Sequence, residues 1–333
     1  MGIKKLKKTL ARHVPACVRT LPLAAFANTR IAVDTPIYLY RFCSTGRKIR
    51  GFENQIQLFR QYNITPVYIF DGTHIEQKQG ELDRRRKVRE RDENKLLELQ
   101  QQQAKRARTF TTDATASSQD QQHVSLADMV LLQDKIERVS RRVHNKPCKQ
   151  DYVDLKQLLT NQGIEYNTAP DDAEKMCARL VAEGQCDSVL SEDTDTLVFL
   201  ANMCARGQML TNLHYDGQRY TTECYDVRVM LEGLDMTPQQ FTDACILSGC
   251  DFSSTIRGIG PVRAFNYMKS LPNIEAVLNT LRDDQYDLNK FLYQAAREAL
   301  CWNQGVRSAQ DSIIFSTEDR KIEDARAHGP SDI

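Results

Sequence analysis

No apolar run in the chain approaches the roughly 20 residues that a bilayer crossing requires, so the sequence predicts no membrane contact. The N-terminus, MGIKKLKKTLARHV, is basic, but no secretory apolar core follows it. Leu6 stands where a myristoylation pattern needs Ser or Thr, which argues against lipidation at Gly2. The chain has 10 cysteines and no CxxC pair, so zinc-type spacing is missing. Most of these cysteines sit in apolar segments, as reduced, buried thiols of an intracellular protein do. Neither sign of charge is in excess: 45 Lys and Arg against 44 Asp and Glu leave a net charge of +1. Such a balance names no partner; clustering decides. No internal repeat is present.

What is present is a chain of 333 residues with 41% hydrophobic content, enough for one large domain or two smaller ones. Three short apolar runs end in acid: Arg30-Ile31-Ala32-Val33 at Asp34, Pro66-Val67-Tyr68-Ile69-Phe70 at Asp71, and Ser188-Val189-Leu190 at Glu192 and Asp193. Short β-branched runs separated by helical stretches predict a parallel sheet in an α/β fold. Ligands of such sheets bind beyond the carboxyl ends of the strands, which puts these acids along one edge.

Residues 169–182 (APDDAEKMCARLVA) read as a helix, with Pro170 in its first turn and Asp171, Asp172 and Glu174 at the positive end of its dipole. Ala173, Met176, Cys177, Leu180 and Val181 form its apolar face. Residues 78–108 are charged and helix-favouring, and six of the eight residues in RRRKVRER (84–91) are basic. The stretch over 109–122 is poor in apolar residues and reads as a mobile loop. Helical periodicity returns over 125–143, so 78–145 reads as an insertion of two helices with a flexible tip. The tail from about 316 is polar.

Asp34, Asp71, Asp172, Glu174, Asp193, Asp195 and Asp251 thus recur at the same topological place. Asp193 and Asp195 are expected to face one side, with Thr194 opposite. A single acid after a strand is usually a turn or cap residue; the specificity lies in the repetition. Carboxylates crowded together repel unless cations neutralise them, and hard divalent cations prefer oxygen. Two such ions about 4 Å apart support phosphodiester displacement.

Arg257-Gly258-Ile259-Gly260-Pro261 adds a Gly-x-Gly turn opening a helix, where backbone N–H groups can approach a phosphate; an ordinary turn fits equally well. Helices over about 238–248 and 261–270 would complete a helix–hairpin–helix that grips a nucleic-acid backbone without reading sequence. The basic run at 84–91 is either a solvated helix face or, beside a carboxylate cluster, a phosphate clamp.

Four motifs together resemble the flap endonuclease branch of the XPG-type structure-specific nucleases: MGIKKL; IAVDTPIYLYRF with VYIFDG; APDDAEKMCARLVAEGQCDSVLSEDTDTLVF; and LSGCDFSSTIRGIGPVRA. They span residues 1 to about 270. The resemblance implies an α/β fold: a mainly parallel twisted sheet flanked by helices (a PIN-like nuclease core), a helical arch insertion and a helix–hairpin–helix (helix-two-turn-helix) element. It divides residues 1–316 into an N-terminal nuclease region (1–77), the arch (78–145, tip 109–122), an internal nuclease region (146–235) and a duplex-binding region (236–300), with 317–333 as the tail.

The resemblance also implies two Mg²⁺ ions, replaceable by Mn²⁺: one group of ligands is Asp34, Asp71, Asp172 and Glu174, the other Asp193, Asp195 and Asp251. Asp172 departs from the family's usual Glu, which implies a changed metal preference or slower turnover rather than inactivity. Lys78 and Arg85 fall at its two basic catalytic positions, flanked by Arg84 and Arg86 as phosphate contacts. Tyr40 falls where an aromatic stacks on a base, although core packing fits a Tyr there equally well. Gly2 falls at a tightly packed N-terminus exposed by loss of Met1. Gly258 and Gly260 fall in a duplex-binding hairpin where backbone carbonyls, here of Thr255, Ile256 and Ile259, hold K⁺.

No sliding-clamp peptide or long basic tail is evident. These absences imply a compact, divergent member of the kind a large DNA virus encodes. The expected protein is a monomeric Mg²⁺-dependent 5′ flap endonuclease and 5′–3′ exonuclease acting on branched or flapped DNA in a nucleus or viral replication compartment. Two alternatives stand beside it: a host-shutoff-like ribonuclease of the same fold, and a catalytically silent scaffold, which the retained acids argue against.

Overall fold

A computed structural model describes residues 2–72, 90–106, 126–144, 146–283, 286–288 and 291–300. Seven strands form one sheet: β1 (Val18–Pro22), β2 (Arg30–Asp34), β3 (Thr65–Phe70), β4 (Tyr166–Thr168), β5 (Ser188–Leu190), β6 (Gln208–Tyr215) and β7 (Tyr220–Asp226). Their order is β1-β7-β6-β5-β2-β3-β4. The five strands from β6 to β4 run parallel, and β7 and β1 continue the sheet antiparallel beyond β6. The expected parallel core is present, with an antiparallel edge that the sequence did not announce.

The helices among the described residues are α1 (Leu6–His13), α2 (Thr35–Ser44), α3 (Lys48–Gln61), α4 (90–106), α5 (Leu126–His144), α6 (Lys149–Asn161), α7 (Ala173–Ala182), α8 (Asp195–Met203), α9 (Val227–Leu234), α10 (Pro238–Ser248), α11 (Pro261–Ser270), α12 (Ile274–Asp283) and α13 (Tyr293–Leu300).

The period of two along each strand sorts side chains to the two faces. Ala32, Val67, Ile69, Val189 and Met209 enter one core with α1 and α7 to α13. Their neighbours Ile31, Val33, Tyr68, Phe70, Leu190 and Leu210 enter the other with α2, α3 and α6. The middle strands are therefore buried on both faces, which is why they read as continuous apolar runs. Seven of the nine described cysteines are buried and none of the nine is in a disulfide, as expected.

Helices α4 and α5 share a separate small cluster of Leu96, Leu132, Ile136 and Val139. Both lie inside the expected two-helix insertion. The 109–122 tip and the polar tail lie outside the described residues. Helices α10 and α11 occupy the expected 238–248 and 261–270, each opening on a proline whose missing N–H costs nothing in a first turn. Asp243 of α10 is fully buried; it accepts two hydrogen bonds from Arg297 Nη2, at 2.8 and 2.9 Å, and one from the Ile274 N–H at 3.1 Å. This ties α10, α12 and α13 into one block behind the hairpin. Among the described residues no helix is long and apolar enough to cross a membrane.

Candidate metal centre

Strand β2 has β3 on one side and β5 on the other, and chain progression reverses there. The crevice between β2 and β5 is therefore the topological switch point, where such sheets bind ligands. Asp34 ends β2 and is 1% exposed. Ser191, just past β5, reaches across and donates its hydroxyl to Asp34 Oδ2 at 2.6 Å. Burial pushes the Asp34 carboxyl up to about 8; Asp193 and Asp71 push the same way, opposed by the hydrogen bonds from Ser191 and the Ile37 N–H. Without a cation, three negative charges do not coexist comfortably here.

Asp71 follows β3, and its Oδ1 accepts the Ala173 N–H at 3.0 Å. It thereby caps α7 from a different strand. The expected helix over 169–182 starts later, at Ala173, because Asp172 is still extended (φ −90°, ψ 138°) and Pro170 lies in the preceding bend. The apolar face from Ala173 to Val181 packs as expected. This late start lets Asp172 and Glu174 approach Asp71. One carboxylate oxygen from each of the three lies within 4.8 Å of the others. The shorter arm of Asp172 does not remove it from the group.

Asp193 and Asp195 are each 4% exposed. The expected alternation, with Thr194 opposite, does not occur. A Cβ placed on Gly2 would lie 2.1 Å from Asp193 Oδ1, 2.7 Å from Thr194 Oγ1 and 2.9 Å from Asp195 Oδ1, so all three side chains surround one point. The reason is that α8 begins at Asp195, and the backbone curls instead of extending. Gly2 has φ +82°, a conformation that favours glycine. The Lys4 N–H donates to the Gly249 carbonyl at 3.1 Å. Residues 2–4 thus bridge the loop after β5 to the loop that carries Asp251. Burial raises the Cys250 thiol and the Asp195 carboxylate adds to the rise, as expected of neighbours.

The third acid of SEDTD turns away from the cluster. Glu192 accepts from Arg41 at 3.0 Å, the Thr211 hydroxyl at 2.5 Å and the Asn212 N–H at 2.9 Å, with Lys7 at 3.6 Å. Its partners on β6 sit where that strand's register shifts. Bulges often aim groups beside active sites. Sequence placed Glu192 at this edge but not its turn away from the cluster, and gave Ser191 and Gly72 no role. A hydroxyl at the strand end and a glycine right after Asp71 were the signals available.

Tyr40 is 42% exposed on α2, which excludes simple core packing. Gly258 has φ +89°, so glycine is required there, whereas an added Cβ at Gly260 meets nothing within 4 Å. Ile256 and Ile259 anchor the hairpin in the core, and the Ile259 N–H donates to the Ile256 carbonyl at 3.1 Å. Thr255 packs over Gly249. Lys78, Arg84, Arg85 and Arg86 lie outside the described residues.

Among the seven acids Asp34, Asp193 and Asp195 are buried, Asp71 is exposed, and Glu174 and Asp251 are partly so. All donors are hard oxygens, a set suited to Mg²⁺ or Mn²⁺ and unsuited to soft metals. Carboxylates gathered at the switch point of a parallel sheet are the donor set of a metal-dependent phosphodiesterase.

Comparison with known proteins gives the particular kind. Residues 1–92 match the XPG N-terminal domain and residues 163–251 the XPG I-region. The chain is 30% identical over 303 residues to flap endonuclease 1 of Caenorhabditis briggsae, covering 86% of this chain and 70% of that one. Against flap endonuclease 1 of Komagataella phaffii it is 28% identical over 341 residues, covering 96% and 83%. Among solved structures it resembles the catalytic core of Rad2 in complex with DNA substrate (TM-score 0.57, 19% identity, 95% and 82% covered). It also resembles flap endonuclease-1 from Methanococcus jannaschii (TM-score 0.55, 18% identity, 88% and 83% covered). At those identities the structures establish the shared nuclease fold. The chain belongs to the flap endonuclease family of XPG-type nucleases, enzymes that hydrolyse phosphodiester bonds.

Proposed function

We propose that the chain is a Mg²⁺-dependent, structure-specific nuclease that cuts DNA at the base of 5′ flaps and degrades DNA from 5′ ends, in replication, repair or recombination. The observation that carries this reading is the convergence of Asp71, Asp172 and Glu174 within 4.8 Å at the open sheet edge, next to buried Asp34. With Asp34 they would hold one Mg²⁺; Asp193, Asp195 and Asp251 would hold the second. Bound there, the two ions supply Lewis-acid stabilisation of the attacking and leaving oxygens.

The chain's own groups orient and bind the substrate. Lys78 and Arg85 stabilise charge developing on the scissile phosphate, and Arg84 and Arg86 hold neighbouring phosphates. Exposed Tyr40, six residues after Asp34, stacks on the adjoining base. The backbone N–H groups at Gly258 and Gly260 grip the duplex, and the carbonyls of Thr255, Ile256 and Ile259 would hold K⁺. The arch over 78–145 admits the free 5′ end. The buried end of the acid cluster faces the sheet, so the phosphate enters from the open end at Asp71 and Glu174.

Cleavage of a DNA flap and of single-stranded RNA, compared with Mg²⁺ under identical conditions, tests the substrate. Cutting near the flap base with RNA left intact supports the reading; preferential RNA cleavage replaces it with the ribonuclease alternative, and binding without cutting with the scaffold.

A further inference from the structure

Ser191 is fully buried, and both its N–H and its hydroxyl are engaged. Its N–H donates to the Leu210 carbonyl at 3.1 Å, which fixes its backbone to β6. Its hydroxyl proton goes to Asp34 Oδ2 at 2.6 Å. The same oxygen accepts the Asp193 N–H at 3.0 Å. Asp193 Oδ1 in turn accepts the Asp195 N–H at 3.2 Å. One hydroxyl has one donor and two acceptor lone pairs, so donating to Asp34 while accepting from Asp193 involves no conflict. It forms a continuous string from Asp34 on β2, through Ser191, to Asp193 and Asp195 at the start of α8. The string spans the β2–β5 crevice and joins an acid assigned to the first ion with two assigned to the second.

We propose that Ser191 is a positioning residue that sets the spacing and orientation of the two carboxylate groups relative to each other. It occupies Asp34 Oδ2 and so fixes which oxygen of Asp34 meets a cation, and it orients the Asp193 peptide that carries the opposing ligand. Only a short hydroxyl fits the role: a carboxylate would add charge to the crowd, and an alanine would leave both Asp34 Oδ2 and the Asp193 N–H without this partner. Outer partners of metal-binding carboxylates change metal affinity or activity by roughly 10- to 100-fold when removed.

This inference rests on the metal reading of the acids, and the test separates the two. Mn²⁺ binding to the metal-free protein is titrated by the loss of the free-ion EPR signal, without substrate, for wild type, Ser191→Ala and Ser191→Cys. Melting curves report folding. Ser191→Ala is expected to bind Mn²⁺ roughly 10- to 100-fold more weakly, with Ser191→Cys between it and wild type. In cleavage assays the Mg²⁺ concentration for half-maximal rate rises in parallel, while substrate KM stays put. If wild type itself binds no Mn²⁺, the metal reading fails and takes this inference with it. If wild type binds and a folded Ser191→Ala binds equally well, the positioning role is wrong and the metal reading stands. Should Ser191→Ala fail to fold, Ser191→Cys decides: wild-type affinity in that volume-matched variant overturns the proposal.

Discussion

Gly72 offers the sharpest perturbation of the acid cluster without touching an acid. It follows Asp71, and its N–H donates to the Asp171 carbonyl at 2.8 Å. An alanine Cβ there would sit 2.0 Å from the Ala169 carbonyl oxygen and 2.6 Å from that of Pro170. Both obstacles are backbone, so no rotamer change relieves the collision. The end of β3 and the segment before α7 must part by about 1 Å, a misplacement that can cost roughly a hundredfold in rate. That displacement acts directly on the Asp71–Asp172–Glu174 group and on the Ala173 N–H that Asp71 caps. Overpacking of this kind costs about 1–3 kcal/mol, which a domain of this size tolerates. Gly72→Ala is therefore expected to fold, to melt somewhat lower, and to cleave a 5′ flap about a hundredfold more slowly under single-turnover conditions. A folded Gly72→Ala that cleaves at the wild-type rate would refute the link between this close approach and the site.

Gly2→Ala should lose about 1–2 kcal/mol at its positive φ and displace Asp193, raising the Mg²⁺ requirement; an unchanged Mg²⁺ titration would contradict this. Tyr40→Ala should leave the melting temperature unchanged, since the ring is 42% exposed, while flap binding weakens by about 1–3 kcal/mol; a drop in melting temperature with intact binding would return Tyr40 to the core. Asp151 accepts the Cys148 N–H at 2.8 Å and Lys48 at 2.9 Å, capping α6. Burial raises its carboxyl, but these contacts outweigh it and hold the carboxyl below the ordinary range. Its stabilisation is thus complete above the unfolded pKa and is lost as pH falls through the lower folded one. Asp151→Ala should cost about 0.5–2 kcal/mol at pH 7, and the gap to wild type should begin to narrow only below about pH 4 and close once pH has fallen through the lowered folded pKa; a gap that stays constant into acid would show that charge plays no part.

The acids at Asp34 and Asp71 were legible because fully buried parallel strands appear in sequence as bare apolar runs, and the first polar residue marks where the sheet edge meets solvent. The prolines at 238 and 261 marked α10 and α11 equally clearly. The antiparallel edge was not legible: YTTECYD mixes threonines, acids and tyrosines around one cysteine, with no apolar period to count. The late start of α7 escaped because Pro170 suits both a first helical turn and the bend before it. Within SEDTD, three acids look alike in sequence, yet Glu192 belongs to Arg41, Thr211 and Asn212. Nothing local distinguishes it, because its partners lie 151, 19 and 20 residues away. The contact of Ser191 with Asp34 spans 157 residues and was hidden for the same reason.

If the clustered carboxylates are the catalytic metal site of a flap-cutting enzyme, cleavage must depend on both the metal and the acids. The most direct measurement uses purified protein and a 5′-labelled double-flap DNA, with Mg²⁺ or with EDTA, alongside Asp193→Ala. Incision near the flap base should require Mg²⁺, disappear in EDTA and be lost in a folded Asp193→Ala that still binds the flap. Incision that survives EDTA, or that Asp193→Ala performs as well as wild type, would contradict that assignment.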